Sequence, residues 1–210
     1  MTTARLCCSV LLLASLAAPR PAAAAPPDER VAALYRASYQ LEAKGDAAGA
    51  LGKMAEIRAA AGATYFVVVR TAWLQYLAGS FGAAASSYRE AMRLEPKAVE
   101  SKLGLTLPLL AQKRWRDLER ACRDVLALDP GNATARARLA HTLYSIGNFP
   151  DAATTYRKLV AEYPAVLDHQ TGLGWALLRM GRRAEAHRLF QAVLLVSPDN
   201  PNAKAGLAAP

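Results

Sequence analysis

The sequence predicts an all-α fold, a solenoid of about five antiparallel helix pairs followed by a short C-terminal capping helix. Three observations carry that prediction. Pro96, Pro130, Pro164 and Pro198 recur every 34 residues. Gly45, Gly79, Gly147 and Gly181 recur in the same register, with Lys113 where a further glycine would fall. Five places after each of these stands a small residue, Ala50, Ala84, Ala152 or Ala186, with Leu118 as the exception. Self-similarity at such a period marks a stacked array, because each unit can bury its apolar face only against its neighbours.

The first residues fall outside the array. Arg5 precedes an almost wholly apolar run over residues 6–18, followed by Pro19, Arg20, Pro21 and four alanines. A positive start, a short apolar stretch and small residues at a cleavage point describe a secretory signal peptide, read here as residues 1–24 and removed after Ala24. The apolar run is short against the roughly 20 residues of a membrane span. The expected product is exported, with the bacterial periplasm as its destination. The alternative is an uncleaved N-terminal anchor that leaves the array facing the periplasm. Residues 25–30 form a short linker.

The array occupies residues 31–200 in units 31–64, 65–98, 99–132, 133–166 and 167–200. Apolar periodicity and breakers place helices at 28–44 and 47–60, 64–78 and 81–93, 98–112 and 115–127, 132–146 and 150–162, and 166–180 and 183–196. Pro150 sits in a first turn, where proline is tolerated. Linkers of two to five residues force neighbours to lie antiparallel. Residues 201–210 read as the opening turns of a further helix that covers the apolar end of unit five. No strand is expected. Unit one has Gly62 in place of the proline, with Ser38 and Met54 in softer versions of its packing positions. Unit three departs further, through Lys113, Leu118 and Cys122, and carries Pro108 inside a helix, where the ring should displace the Gly104 carbonyl.

Charge and cysteine content narrow the classes. The net charge is +9, falling to +7 once Arg5 and Arg20 leave with the signal. Charged residues are 20% of the chain, and its Ala-, Leu- and Arg-rich composition is that of an ordered protein. Cys7 and Cys8 lie in the signal, so Cys122 alone remains and no internal disulfide can staple the fold.

The stretch 133–164 carries Leu139-Ala140, Leu143-Tyr144, Gly147, Phe149, Ala152, Tyr156 and Pro164. On these residues, repeated over about five units from Val31 to Pro198, the chain resembles the tetratricopeptide repeat (TPR) family. The resemblance implies a right-handed solenoid whose first helices line a concave face. It also implies a protein-protein interaction scaffold that recognises an extended peptide or helix. The positions that face the groove in that family carry over to Tyr35, Tyr39, Phe66, Arg70, Trp73, Tyr76, Leu103, Leu107, Leu110, Arg138, His141, Tyr144, Asp168, Trp175 and Arg179, with Leu103 and Leu110 also suited to packing against the neighbouring unit. Spacings such as 66/73 and 141/144 put these side chains on common helix faces, and an apolar and aromatic trough is a binding surface. The lysine-and-asparagine clamp with which some family members hold a chaperone carboxylate is absent, since Tyr35 and Tyr39 stand in its first two positions.

Catalytic motifs fail on spacing. Residues 45–53 end in Gly-Lys, but a phosphate loop needs glycine at 47 and a hydroxyl at 54, where Ala47 and Met54 stand. Gly172 and Gly174 are followed by Leu177 rather than a third glycine. No Gly-x-Ser-x-Gly elbow occurs. His141, His169 and His187 occupy different positions of the repeat and have no cysteine or carboxylate at metal-ligand spacing. No enzyme activity, cofactor or metal is therefore expected, and Cys122 reads as a buried, inert thiol. Asn132-Ala133-Thr134 is a glycosylation sequon, meaningful only where the source glycosylates.

The basic residues gather on the second helices, among them Arg89, Arg116, Arg120, Arg123, Arg157, Lys158 and Arg188, with acids interleaved. A solvated face is the plain reading. The functional alternative is an adaptor that associates with an anionic membrane, an envelope polymer or an export assembly. Nucleic acid is not expected, because no aromatic residues interleave with the basic ones.

Overall fold

The computed structural model describes residues 27–209, so the signal segment and residues 25–26 of the linker lie outside the described residues, while residues 27–30 belong to the first helix. Eleven helices follow in order: α1 (Pro27–Ala43), α2 (Ala47–Ala61), α3 (Tyr65–Leu77), α4 (Phe81–Leu94), α5 (Val99–Ala111), α6 (Trp115–Leu128), α7 (Ala133–Ser145), α8 (Phe149–Glu162), α9 (Leu167–Arg179), α10 (Arg183–Val196) and α11 (Pro201–Ala208). They pack sequentially into five antiparallel pairs and a capping helix, as the 34-residue period predicts. Observed ends differ from the expected ones by a residue or two, mostly because capping residues stand outside the helices. Thr64, Asn132 and Asn200 accept hydrogen bonds from the backbone N–H of Val67, Ala135 and Ala203, which satisfies donors that a helix start leaves free. Among the described residues no helix is long and apolar enough to cross a membrane.

The turn after each first helix explains the glycine register. The Asn148 N–H reaches back to the Leu143 carbonyl at 2.9 Å, a closure that requires Gly147 at φ +85°. Unit three closes in the same way, Arg114 N–H to Leu109 carbonyl at 2.9 Å, although Lys113 must adopt φ +54° to permit it. The geometry of the turn thus survives the loss of glycine. The small residues Ala50, Ala84, Ala152 and Ala186 are fully buried, and so is Leu118 in their register. The helix α5 continues through Pro108 to Ala111.

One core cluster runs from Ala72 to Ala203, while a smaller cluster around Ala50, Met54, Ile57, Val67 and Leu74 joins unit one to unit two. The aromatic rings Tyr88, Tyr156 and Phe190 each project from a second helix toward the next first helix. There they meet Gly104, Gly172 and Gly206, where any Cβ would lie within 2.5 Å of the ring.

Candidate groove and its C-terminal pocket

The first helices α3, α5, α7, α9 and α11 approach one another across successive units, whereas the second helices make no comparable approach among themselves. Neighbours that converge on one side make that side the concave one. The groove-facing positions inferred from the sequence therefore lie on the inner layer, but their side chains have divided into two groups.

Some are taken up by the fold. Arg70 is only 7% exposed. Its Nη1 pairs with Glu42 Oε2 at 2.9 Å, its Nη2 donates to Ser38 Oγ at 3.0 Å, and its guanidinium lies 3.5 Å over the Tyr39 ring. The expected orientation toward a ligand is not what the structure shows, because Glu42 and Ser38 in unit one claim its donors. Trp73 is likewise engaged, with its Nε1–H donating to Glu42 Oε1 at 2.7 Å. Arg138 Nη1 reaches back a full unit to donate to the Thr106 hydroxyl and to the Leu103 carbonyl, the latter at 3.2 Å. That carbonyl adjoins Gly104, whose own carbonyl loses its helical donor to Pro108. Leu107 is half-buried.

Others remain available. Tyr39 is 48% and Phe66 53% exposed at the N-terminal end, where Phe66 meets Tyr35 edge-on with ring centroids 5.6 Å apart. Tyr76 bridges Trp73 and Phe81, each at 5.7 Å. Tyr144 packs on Phe149 at 5.4 Å, and Arg179 sits 4.6 Å over the Phe149 ring.

The C-terminal end of this inner layer holds a pocket of about 520 Å³, lined by His141, Tyr144, Tyr156, Asp168, Thr171, Gly172, Trp175 and Asn202. It spans α7, α8, α9 and α11. Trp175 is fixed against Phe190 with centroids 5.7 Å apart. His141 is exposed overall, but its ring meets Trp115 at 5.7 Å, and desolvation lowers its pKa, so the imidazole is neutral at pH 7. Tyr156 is 7% exposed. Burial, reinforced by the neighbouring Asp168 carboxylate and Tyr144 phenol, pushes its own phenol up to about 12, so it stays protonated. His141, Tyr144 and Trp175 were legible from the repeat positions. Tyr156 reads from the sequence as a repeat packing position and Gly172 as part of a failed nucleotide fingerprint, while nothing in the spacing points to Thr171 or Asn202. A signal for Tyr156 and Gly172 existed in the sixteen-residue spacing that repeats at Tyr88/Gly104 and Phe190/Gly206.

On the outer layer, arginines are tied to acids within α6. Asp117 pairs with Arg114 and Arg120, and Glu119 pairs with Arg116 and Arg123. Arg157, Lys158 and Arg188 make no ion pair among the described residues. No cluster of His, Cys, Asp and Glu suited to a metal occurs among the described residues.

Paired helices stacked in register with a glycine-closed turn define a helical-repeat protein. A family profile described as Tetratricopeptide repeat matches residues 109–171, and the same period and helix order run through the rest of the described residues. Among solved structures, a tetratricopeptide repeat protein from Parabacteroides merdae has a TM-score of 0.78 at 16% identity, covering 85% of this chain and 71% of its own. MamA (residues 41 to the end) from Desulfovibrio magneticus has a TM-score of 0.76 at 16% identity, covering 82% of this chain and 98% of its own. YrrB, described as a TPR protein with an unusual peptide-binding site, has a TM-score of 0.72 at 13% identity over 82% of this chain and 89% of its own. At these identities the likeness is one of fold. No curated protein matches in sequence.

Proposed function

We propose that the chain is a non-catalytic scaffold of the cell envelope that binds an extended segment of another protein along its concave layer. The observation that carries the reading is the set of inner-layer aromatics the fold leaves open, Tyr39 and Phe66 at one end and the Tyr144–Trp175 pocket at the other. Aromatic side chains offer large contact area for little lost conformational entropy, and such exposed sets are binding surfaces. The peptide-binding site reported for YrrB, a protein of like fold, agrees with a groove ligand. The outer arginines that Asp117 and Glu119 neutralise in part favour the groove over a purely basic docking face.

The test is a crosslinking pull-down with the chain as bait against a native envelope fraction, followed by affinity measurement on the captured protein. Tyr39→Ala with Phe66→Ala should weaken binding about thirtyfold, while Arg116→Ala with Arg120→Ala should change little. The opposite ranking sinks the groove and favours the adaptor. Export rests on the residues 1–24 pattern, and the intact mass of the native product checks it: a start at Ala25 supports removal of the signal, and retained Met1 in membranes supports the anchor.

A further inference from the structure

We infer that the C-terminal pocket receives a basic side chain, lysine or arginine, of the bound protein segment. This rests on the groove reading above and adds the chemistry of one subsite. The pocket lies in a chain of net charge +9, yet no lysine or arginine lines it. Its one charged group is the carboxylate of Asp168, which makes no ion pair or side-chain hydrogen bond among the described residues. The nearby arginines are occupied elsewhere: Arg138 is held by Thr106 and Leu103, and Arg179 lies over Phe149.

The walls suit a cation as well. Trp175 and Tyr144 line the pocket with aromatic rings, the residue type whose quadrupole attracts ammonium and guanidinium groups. His141, neutral at pH 7, adds no repelling charge. The Tyr156 hydroxyl comes up through the place that a side chain on Gly172 would fill, 2.9 Å from the position of the missing Cβ. It makes no hydrogen bond among the described residues, although the residue is more than nine-tenths buried. A hydroxyl that opens on the pocket without a protein partner is free to accept from an incoming donor. Asp168, Tyr156 and the Asn202 amide together surround the cavity with acceptors for a multivalent donor, which lysine and arginine are. At about 520 Å³ the space falls within the usual range for a ligand pocket.

The experiment is selection of phage-displayed random 12-residue peptides on the wild-type chain, on Asp168→Asn and on Asp168→Lys. Circular dichroism confirms that each variant is helical. Wild-type selection should yield peptides with Lys or Arg at one fixed position. Asp168→Asn should cut that enrichment at least tenfold, and Asp168→Lys should replace it with Asp or Glu. Changing the fixed residue to Gln in a synthetic selected peptide should weaken binding at least tenfold, read by tryptophan fluorescence. Peptides selected without a fixed basic position, or with one that survives Asp168→Asn, overturn the pocket assignment and leave the groove standing. Failure to select any peptide overturns both.

Discussion

The ring of Tyr156 occupies the volume that a side chain on Gly172 would need, with its Cζ 2.5 Å from the position of a Cβ there. The two residues stand sixteen apart, on a second helix and the next first helix, and the relation recurs at Tyr88/Gly104 and Phe190/Gly206. Where the aromatic is missing, so is the glycine: Met54 is followed by Arg70, and Cys122 by Arg138. Burial raises the pKa of the Cys122 thiol and the charge of Arg138 opposes that shift, so the two positions are electrostatically linked across the unit boundary. The units are therefore joined in two ways, a ring set against bare backbone or an arginine that reaches back to acceptors of the preceding unit.

The first joint makes Gly172→Ala destabilising although alanine is the better helix former. The methyl group must displace a buried ring, and overpacking of this kind costs about 1–3 kcal/mol. Gly52→Ala, within α2 and with nothing within 4 Å of its Cβ, should instead stabilise by about 1 kcal/mol. Thermal unfolding followed by circular dichroism reads both, and an unchanged Tm for Gly172→Ala would mean the joint is loose.

The second joint predicts a rescue. Cys122→Tyr alone drives a ring into the space beside Arg138 and should lower the Tm. Adding Arg138→Gly converts the joint to the other kind and should recover much of that loss. Additive effects in this double-mutant cycle would show that the two positions are not coupled.

Arg70 should be sensitive for a different reason. Its replacement by Met keeps the volume but leaves Glu42 without its ion-pair partner and removes the donor to Ser38. Because Glu42 retains some contact with water, the cost should be about 2 kcal/mol, below that of a fully buried pair. A loss under 0.5 kcal/mol in urea unfolding would assign the network little weight.

Lys113 holds a left-handed conformation that costs an ordinary residue about 1 kcal/mol. Lys113→Gly relieves it at an exposed position and should raise stability by that amount, since the turn already has the closure glycine provides elsewhere. The gain should appear as a shift in denaturant midpoint without a change in slope.

The period, the helix pairs and the glycine-closed turns were legible because backbone requirements leave fixed residue types at fixed places. The fate of the inner-layer arginines was not. Arg70 and Arg138 stand at a position that faces the groove in the family, and only the acceptors supplied by other units, Glu42, Ser38, Thr106 and the Leu103 carbonyl, turn them to structural use. Long-range partners of that kind depend on side-chain placement across units, which spacing along one helix does not reveal. His141, Tyr144 and Trp175 could be picked from their positions. The pocket they share also needed Asn202 from the capping helix and Tyr156 from the layer behind.

Cys122 should be unreactive in the folded chain. Burial pushes its thiol up to about 12, so at pH 8 it is protonated as well as shielded. A chromogenic disulfide reagent at that pH should titrate no thiol until denaturant is added, once a cleaved signal has removed Cys7 and Cys8. Immediate reaction of one thiol in the native chain would contradict the packing of α6.

Because each joint is shared between a second helix and the first helix after it, the exchangeable piece of this protein is offset from its repeat. A chimera cut at the prolines would separate Tyr88 from Gly104, or Cys122 from Arg138, and could set a ring against an arginine. A cut in the turn between the two helices of one unit, at Gly79 or Gly147, keeps each pair together. Recombination of this array with other arrays should succeed at those glycines and fail half a repeat away.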